Sequence, residues 1–390
     1  MRHIKYFYYS LIGLQILTFG IIQSTILYYL NLLAIIYITF KCYKTNGINS
    51  KQLILLNLIY SFITIFRGII NLNDYWDGKI LLNRFVWLIL PLLIFYPYKL
   101  QIIQKISRFA LKIWWIPIVF SFFIFTTPIF HIFFFLVVLL PYLSRKNKIK
   151  ICIIIIYSIA TFMSSRGYVI RIIFAAAIAG LYYLNIYFHK TTIKIIKTFF
   201  FTFLIAPLLF LYLGISGSFN IFDINSYYSK NITTKESGES LTIDTRSFLY
   251  RHIYQSVSSK GNTLIGNSAI GSYIINEGNE QTGIKELDQK GRYGSESGLL
   301  DSFLCGGIIG ALLYSMIFWL SSYYAIFRSR NFMLKLIGVF IIFRWATSFF
   351  DEPSSWWISN ILLYVFMGIC LSKAIREAEE NKLRLWCSKF

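Results

Sequence analysis

Two arginines stand in an otherwise apolar stretch, ATFMSSRGYVIRIIFAAAIAG, at residues 160–180. Arg166 belongs to the SSRG sequence, which indicates a tight turn, and Arg171 lies about 7.5 Å further along a helix. A charge in a membrane span is costly and often marks a pathway or a site, although arginine can also extend to lipid headgroups. For Arg171 both interpretations stay open. For Arg166 a site is favoured, because positive charge is usually kept in cytoplasmic loops.

A second group of candidate residues lies in the sequence TRSFLYRHIY. Arg246 and Tyr250 are four residues apart, so on a helix they share one face, whereas Arg251 lies on another face. A planar guanidinium suits phosphate, and it is always charged. This pattern predicts an arginine that is presented to an anionic ligand by a helix outside the spans.

Carboxylates and one further arginine stand at the ends of other apolar segments. Glu296 precedes SGLLDSFLCGGIIG, and Arg344 is followed by Asp351 and Glu352 in FRWATSFFDEP. A carboxylate beside arginines can accept a proton or hold an arginine in place. These residue types predict a phosphate-binding site whose candidate substrate-binding residues are Arg171, Tyr250, Arg251, Arg344 and Glu352.

The elements that must position these residues are membrane helices. The 390-residue chain is 56% hydrophobic and only 14% charged, which is typical of a polytopic membrane protein. Apolar runs of about 17–25 residues predict spanning helices. We predict an all-α polytopic membrane protein with about twelve transmembrane helices, near residues 5–20, 24–41, 53–70, 80–97, 109–126, 128–144, 149–164, 167–187, 195–215, 297–327, 332–350 and 355–373.

The formal net charge of +21 follows from this topology. Lysine and arginine hold loops in the cytoplasm, and they concentrate in alternate connections when both termini are placed inside. Among the 17 acidic residues, those that fall inside are Glu377, Glu379 and Glu380. We therefore expect both termini in the cytoplasm, and the charge does not predict nucleic acid as a partner.

One long polar region interrupts the spans. Residues 216–296 form a loop of about 80 residues, a length that is usually functional or disordered. The spacing of Phe248, Leu249, Ile253 and Val257 predicts a helix within it, and the glycines of NTLIGNSAIGSYI predict a turn-rich segment near the membrane. The chain thus divides into an N-terminal bundle (1–215), an outer loop (216–296) and C-terminal spans with a basic cytoplasmic tail (297–390).

Neither cofactor nor metal is predicted. The five cysteines and four histidines show no metal-ligand spacing, and no cysteine falls in the long loop, so no disulfide framework is indicated. Asp74 and Asp77 in NDYWDGK could hold a divalent metal or orient a substrate, but a solvated connection is the favoured interpretation.

The order of several motifs resembles the O-antigen polymerase and ligase superfamily, membrane glycosyltransferases of the GT-C type. These motifs are SSRG at a span end, a large outer loop with RSFLY, then LIGNSAIGSY and ESGLLDSFLCGGIIGALLY. The matched text covers roughly residues 160–325, with weaker agreement at 340–355. The resemblance implies a GT-C-like architecture in the inner membrane of a bacterium, with the active site facing outward.

The resemblance also implies residue roles and partners. Arg166 and Arg246 would bind the pyrophosphate of an undecaprenyl-linked oligosaccharide, which serves as both donor and acceptor. Ligases carry a histidine where this chain has Glu296, which favours a polymerase and makes Glu296 the candidate base, with Asp351 and Glu352 as alternatives. The implied reaction is metal-independent inverting glycosyl transfer, and a chain-length regulator is a further possible partner.

Three other interpretations compete with a polymerase. A ligase would move the finished glycan to a lipid acceptor. A flippase would place its charges near the bilayer midplane, whereas here they collect at one face beside the loop. An envelope assembly protein would have no use for arginines in the spans.

Overall fold

The computed structural model describes residues 47–96, 99–121, 128–163, 165–215, 247–274, 291–295, 297–349 and 358–390. These ranges are mostly helical, and the only β-pairing within them is two isolated bridges. Short 3₁₀ helices cover Leu90–Phe95, Pro128–Ile132 and Leu140–Tyr142. The α-helices are α1 (Lys51–Ile70), α2 (Tyr75–Leu88), α3 (Lys99–Lys112), α4 (Trp115–Ser121), α5 (Phe133–Val138), α6 (Arg145–Thr161), α7 (Arg166–Tyr187), α8 (His189–Ile215), α9 (Ser247–Ser259), α10 (Gly298–Phe327), α11 (Phe332–Thr347), α12 (Ile358–Leu371), α13 (Lys373–Arg376) and α14 (Glu380–Ser388).

Five helical segments of the described residues are long and apolar enough to cross a membrane. They are Lys51–Ile70, Tyr75–Phe95, Gly167–Tyr187, His189–Leu209 and Gly298–Phe327, and each coincides with a predicted span. The spans predicted at 5–20 and 24–41 lie outside the described residues. The remaining five predicted spans correspond to shorter or interrupted helices, so the count of about twelve stays a prediction.

Helix α11 forms the centre of the bundle. Every residue from Phe332 to Thr347 except Lys335 is buried, because α7, α8, α10 and α12 pack around this helix. An all-round apolar sequence such as LIGVFIIF is typical of a helix with no exposed face. The closest contact is with α10, where Gly338 lies against Ala325 and its carbonyl accepts a 2.7 Å hydrogen bond from Ser322.

The bundle has two ends, which we name by the elements that lie there. The loop end holds α9, the start of α10 and the end of α11, and the tail end holds the end of α10, the start of α11, α13 and α14. Since α11 has 16 residues and runs from the tail end to the loop end, the two ends are about 24 Å apart.

The basic C-terminal tail is a packed part of the tail end. The Glu380 carboxylate of α14 accepts hydrogen bonds from the Phe332 backbone N–H, at 2.7 Å, and from the Tyr142 hydroxyl. Arg108 of α3 donates to the Lys389 carbonyl at 2.8 Å. The final residues therefore close the bundle below the start of α11.

Candidate functional site

Helix α9 covers the loop end of the bundle and confirms the helix predicted within the long loop. Its apolar face packs in one small cluster with the first turns of α10. The buried members of that cluster are Ile253, Val257, Tyr273, Leu300 and Leu304. The spacing of Ile253 and Val257 thus correctly marked the buried face.

Tyr250 joins α9 to the end of α11. Its hydroxyl donates a 2.6 Å hydrogen bond to the carbonyl of Phe349, which lies just beyond the last turn of α11 and would otherwise lack a helical partner. The phenol is half-buried. The predicted substrate-binding tyrosine therefore lies directly above the helix that carries Arg344.

The start of α10 is attached to the same end of α11. Ser297 is the N-cap residue, and its hydroxyl accepts from the Leu300 N–H while it donates to the Ser348 carbonyl at 2.8 Å. The Leu299 N–H also donates to Ser348, at 3.3 Å. An N-cap of this kind satisfies an N–H that the first helical turn leaves free.

Two predicted arginines, Arg171 of α7 and Arg344 of α11, are buried at similar depth. Their helices meet where the rings of Phe174 and Phe343 stack with centroids 3.9 Å apart. Arg344 is one residue from that stack and Arg171 three residues, both on the side towards the loop end. Because a helix rises 1.5 Å per residue, the two arginines differ in depth by about 3 Å.

The surroundings of the two arginines are protein rather than lipid. Arg344 is 0% exposed and Arg171 is 4% exposed. The Nη2 atom of Arg344 donates to Asn360 Oδ1 of α12 at 3.1 Å, and the Nε atom of Arg171 donates to the Gly167 carbonyl at 3.1 Å. For Arg171 this burial decides against extension to the lipid headgroups.

A histidine that the sequence did not single out lies beside these arginines. The imidazole of His131 stacks between Phe134 and Tyr168, with centroid distances of 5.1 and 5.5 Å. It is 3% exposed, and the charges of Arg171 and Arg344 both act on it. A buried imidazole therefore lies within the electrostatic reach of two permanent cations.

A buried ion pair lies between α2 and α10. The Nη2 atom of Arg84 is 3.7 Å from Asp301 Oδ1, with side chains 6% and 2% exposed, and Arg84 also donates to the Cys305 sulfur. The same carboxylate oxygen accepts from the N–H and the hydroxyl of Ser295, at 3.0 and 2.9 Å. The pair thus fixes α2 and the segment that precedes α10.

Helix α10 is interrupted at Gly307, which has φ 59° and ψ −157°. The turn-rich segment 263–268 fills the break, because its backbone replaces hydrogen bonds that the helix lacks there. The bonds run from Asn267 N–H to Leu304 O (2.7 Å), Ser268 N–H to Cys305 O (3.1 Å), Ile308 N–H to Thr263 O (3.0 Å) and Ile309 N–H to Leu264 O (3.2 Å). Irregular backbone at membrane depth requires such internal partners.

Helix α1 holds the inserted segment from its other side. Arg67 donates to the carbonyls of Ile265 and Gly266 at 2.7 and 2.8 Å. Tyr60 donates to the Gly306 carbonyl at 2.6 Å. The glycine-spaced sequence LIGNSAIG is therefore a built part of the bundle between α1 and α10.

A small cavity lies beside the break in α10. It has a volume of about 30 Å³, and its polar lining includes Asn57, Ser61 and Thr64 of α1. The rings of Tyr60, Trp87, Tyr314 and Tyr364 surround it. A volume of this size suits about one water molecule among polar groups.

The remaining predicted site residues are placed as follows. Arg166 begins α7, and only its backbone is described. Arg246, Glu296 and Glu352 lie outside the described residues, as does Asp351. Arg251 lies on the exposed side of α9, away from the face that packs on α10.

The two aspartates that precede and open α2 have structural roles. Asp74 is the N-cap residue and accepts from the Asp77 N–H at 2.8 Å. Asp77 is buried, and it accepts from the hydroxyl of Tyr293 at 3.1 Å, so the expectation of a solvated connection was wrong for this residue. Burial and the Asp77 carboxylate raise the pKa of Tyr293.

In the described ranges no group of three or more His, Cys, Asp or Glu could hold a metal ion.

Sequence reasoning missed Arg84 and His131. A signal was present for both, because each is a lone ionisable residue inside an apolar run, and such residues mark sites by default.

No model of a known protein family matches this chain, and neither a curated protein nor a solved structure does.

Proposed function

We propose that this chain is a membrane glycosyltransferase that polymerises polyprenyl-pyrophosphate-linked oligosaccharide units into a surface polysaccharide. The observation that carries the proposal is the pair of buried arginines, Arg171 and Arg344, below the contact of α9 with the end of α11. Such a pair suits a lipid-linked anion whose charge must enter the protein from the membrane surface.

The chemistry requires the protein to stabilise a leaving group. The sugar is already activated by pyrophosphate, so an acceptor hydroxyl attacks the anomeric carbon, the bond to pyrophosphate breaks, and inversion results. Negative charge grows on the pyrophosphate in the transition state, and fixed guanidinium groups in a site shielded from water stabilise it. Arg166 and Arg246 would complete this set of positive charges.

In this proposal Glu296 accepts the proton of the attacking hydroxyl. Its two chain neighbours are fixed, since Ser295 donates to Asp301 and Ser297 donates to Ser348 at the end of α11. Ser297 is thereby joined to α11 about one helical turn beyond Arg344.

The proposed setting is the cytoplasmic membrane of a bacterium, with both termini inside and the loop end facing outward. The donor and the acceptor are both lipid-linked, and a chain-length regulator is a proposed protein partner. No nucleotide cofactor is needed, because the donor carries its own leaving group.

A chromosomal deletion tests the proposal through the surface glycan, separated by size on a gel. For a polymerase we expect the ladder of long chains to disappear while single repeat units remain on the cell surface. Long chains retained on the carrier lipid would instead indicate a ligase. Restoration of the ladder by the intact chain but not by an Arg171→Lys, Arg344→Lys double variant of equal membrane abundance would tie the activity to these arginines.

A flippase is a second candidate, favoured by the interruption of α10 and the polar cavity beside it. Discontinuous helices are frequent at transporter binding sites. Purified protein in vesicles separates the two functions. Elongation of an outward-facing lipid-linked oligosaccharide supports the polymerase, whereas movement of that lipid across the bilayer without elongation supports the flippase.

A further inference from the structure

The tail end of the bundle contains a buried arginine with two guanidinium nitrogens that lack a hydrogen-bond partner among the described residues. Arg376 of α13 is 4% exposed. Within the described part of the chain, neither Nε nor Nη1 of its guanidinium has a hydrogen-bond partner, although both atoms are fully buried. A buried charge of this kind is costly unless another group compensates it.

The backbone of Arg376 is fixed by the turn between α10 and α11. Its carbonyl accepts from the Arg330 N–H at 3.0 Å, from Asn331 Nδ2 at 3.2 Å and from the Ser329 hydroxyl at 3.4 Å. The backbone that carries the guanidinium is therefore held in place, which reduces the conformational entropy lost when the site becomes ordered.

The guanidinium lies over the ring of Tyr324, 4.6 Å from its centroid. Tyr324 is in the last turn of α10, where aromatic residues commonly mark the headgroup level of a membrane. A stacked guanidinium keeps its edge available for hydrogen bonds. The stack thus places a guanidinium with two unpartnered nitrogens, Nε and Nη1, at the depth where lipid phosphates lie.

The charged neighbours of Arg376 do not neutralise it. Arg328 acts on it with the same sign of charge, and Glu377 acts with the opposite sign. However, Glu377 also pairs with Lys373 at 3.9 Å, and its side chain is half exposed. Arg328 and Arg330 are both exposed, so the local excess of charge is positive.

We propose that Arg376, stacked on Tyr324 and flanked by Arg328, binds the phosphate group of an anionic phospholipid at the tail end of the bundle. A guanidinium fork binds phosphate through paired charge-assisted hydrogen bonds, and clusters of basic residues beside membrane helices attract anionic headgroups. Free inorganic phosphate offers the same chemistry. The proposal is independent of the function proposed for the loop end.

The experiment compares the full-length protein in nanodiscs of phosphatidylcholine alone and with added phosphatidylglycerol. Thermal unfolding and the number of lipids retained in native mass spectra are measured for the wild type, Arg376→Met and Lys382→Met. Lys382 is an exposed cation at the same end, so its variant controls for net charge. We expect phosphatidylglycerol to stabilise the wild type and the control, and to bind Arg376→Met about 10- to 100-fold more weakly.

Two outcomes overturn the proposal: no stabilisation of the wild type by phosphatidylglycerol, or an equal stabilisation of Arg376→Met. Arg376→Met should fold in phosphatidylcholine, since it removes an uncompensated buried charge. If it does not fold, Arg376→Lys replaces it, and an undiminished response of that variant refutes the role of the fork. A third arm adds inorganic phosphate to phosphatidylcholine nanodiscs. Stabilisation there, without any effect of phosphatidylglycerol, overturns the lipid proposal and identifies free phosphate as the ligand of Arg376.

Discussion

Breaking the buried ion pair between Arg84 and Asp301 should destabilise the loop end more than the removal of any single hydroxyl there. At 3.7 Å the two charges attract by about 4 kcal/mol for an effective dielectric constant near 20. Asp301→Asn keeps the size of the side chain but leaves the Arg84 charge buried and unbalanced, which typically costs about 3–5 kcal/mol. We therefore expect a fall of this order in the free energy of unfolding.

The assay is a double-mutant cycle on the protein in nanodiscs, followed by denaturant unfolding. Arg84→Met and Asp301→Asn should each destabilise, whereas the double variant should recover most of the loss, because no uncompensated charge remains. Ser302→Ala is a matched control one residue along α10, since it removes only the 2.7 Å bond from that hydroxyl to Gly298. A loss of stability in the double variant equal to the sum of the two single losses would refute the view that the charges depend on each other.

Three further outcomes are expected. Glu296→Gln should lower the rate of glycan elongation by about 10²–10⁴-fold with the donor still bound, and a loss confined to Glu352→Gln would move the role of base to that residue. Tyr250→Phe should cost about 1 kcal/mol in unfolding, by loss of the bond to Phe349, and an unchanged stability would contradict that contact. Burial lowers the pKa of Lys99 to about 8 from 10.5, so the folded protein releases this proton first. Stability should rise with pH between these values, by about 3 kcal/mol, and the Lys99→Met variant should lose that slope.

The sequence was sufficient for elements whose signal is local. The helix α9 followed from the spacing of Ile253 and Val257, and five spans followed from the length of apolar runs. The burial of Arg171 could not be decided in this way, because a side chain on a membrane helix can face lipid or protein. Only the packing of α7 against α11 settles which of the two it faces.

The interruption of α10 is also a long-range property. The glycine pair in FLCGGIIG permits a break, but a glycine pair does not by itself require one. The break occurs because residues 263–268 supply the missing hydrogen-bond partners, and Arg67 of α1 holds that segment in place. None of these contacts can be inferred from the residues that flank Gly307 in the sequence.

The contrast between Arg344 and Arg376 bears on what each end of the bundle does. Both arginines are more than nine-tenths buried, and both lie against an aromatic ring, Phe340 and Tyr324 respectively. Arg344 is held by Asn360 within a helix that has no exposed face, so its direction is set by the bundle whether or not a ligand is present. A charge oriented in advance is what catalysis of group transfer needs, because no reorganisation is then required as the transition state forms. Arg376 lies in a four-residue helix that follows the last long helix, and a lipid phosphate beside it would complete its hydrogen bonds. Under the two proposals, the same residue type would serve glycosyl transfer at the loop end and attachment to the bilayer at the tail end.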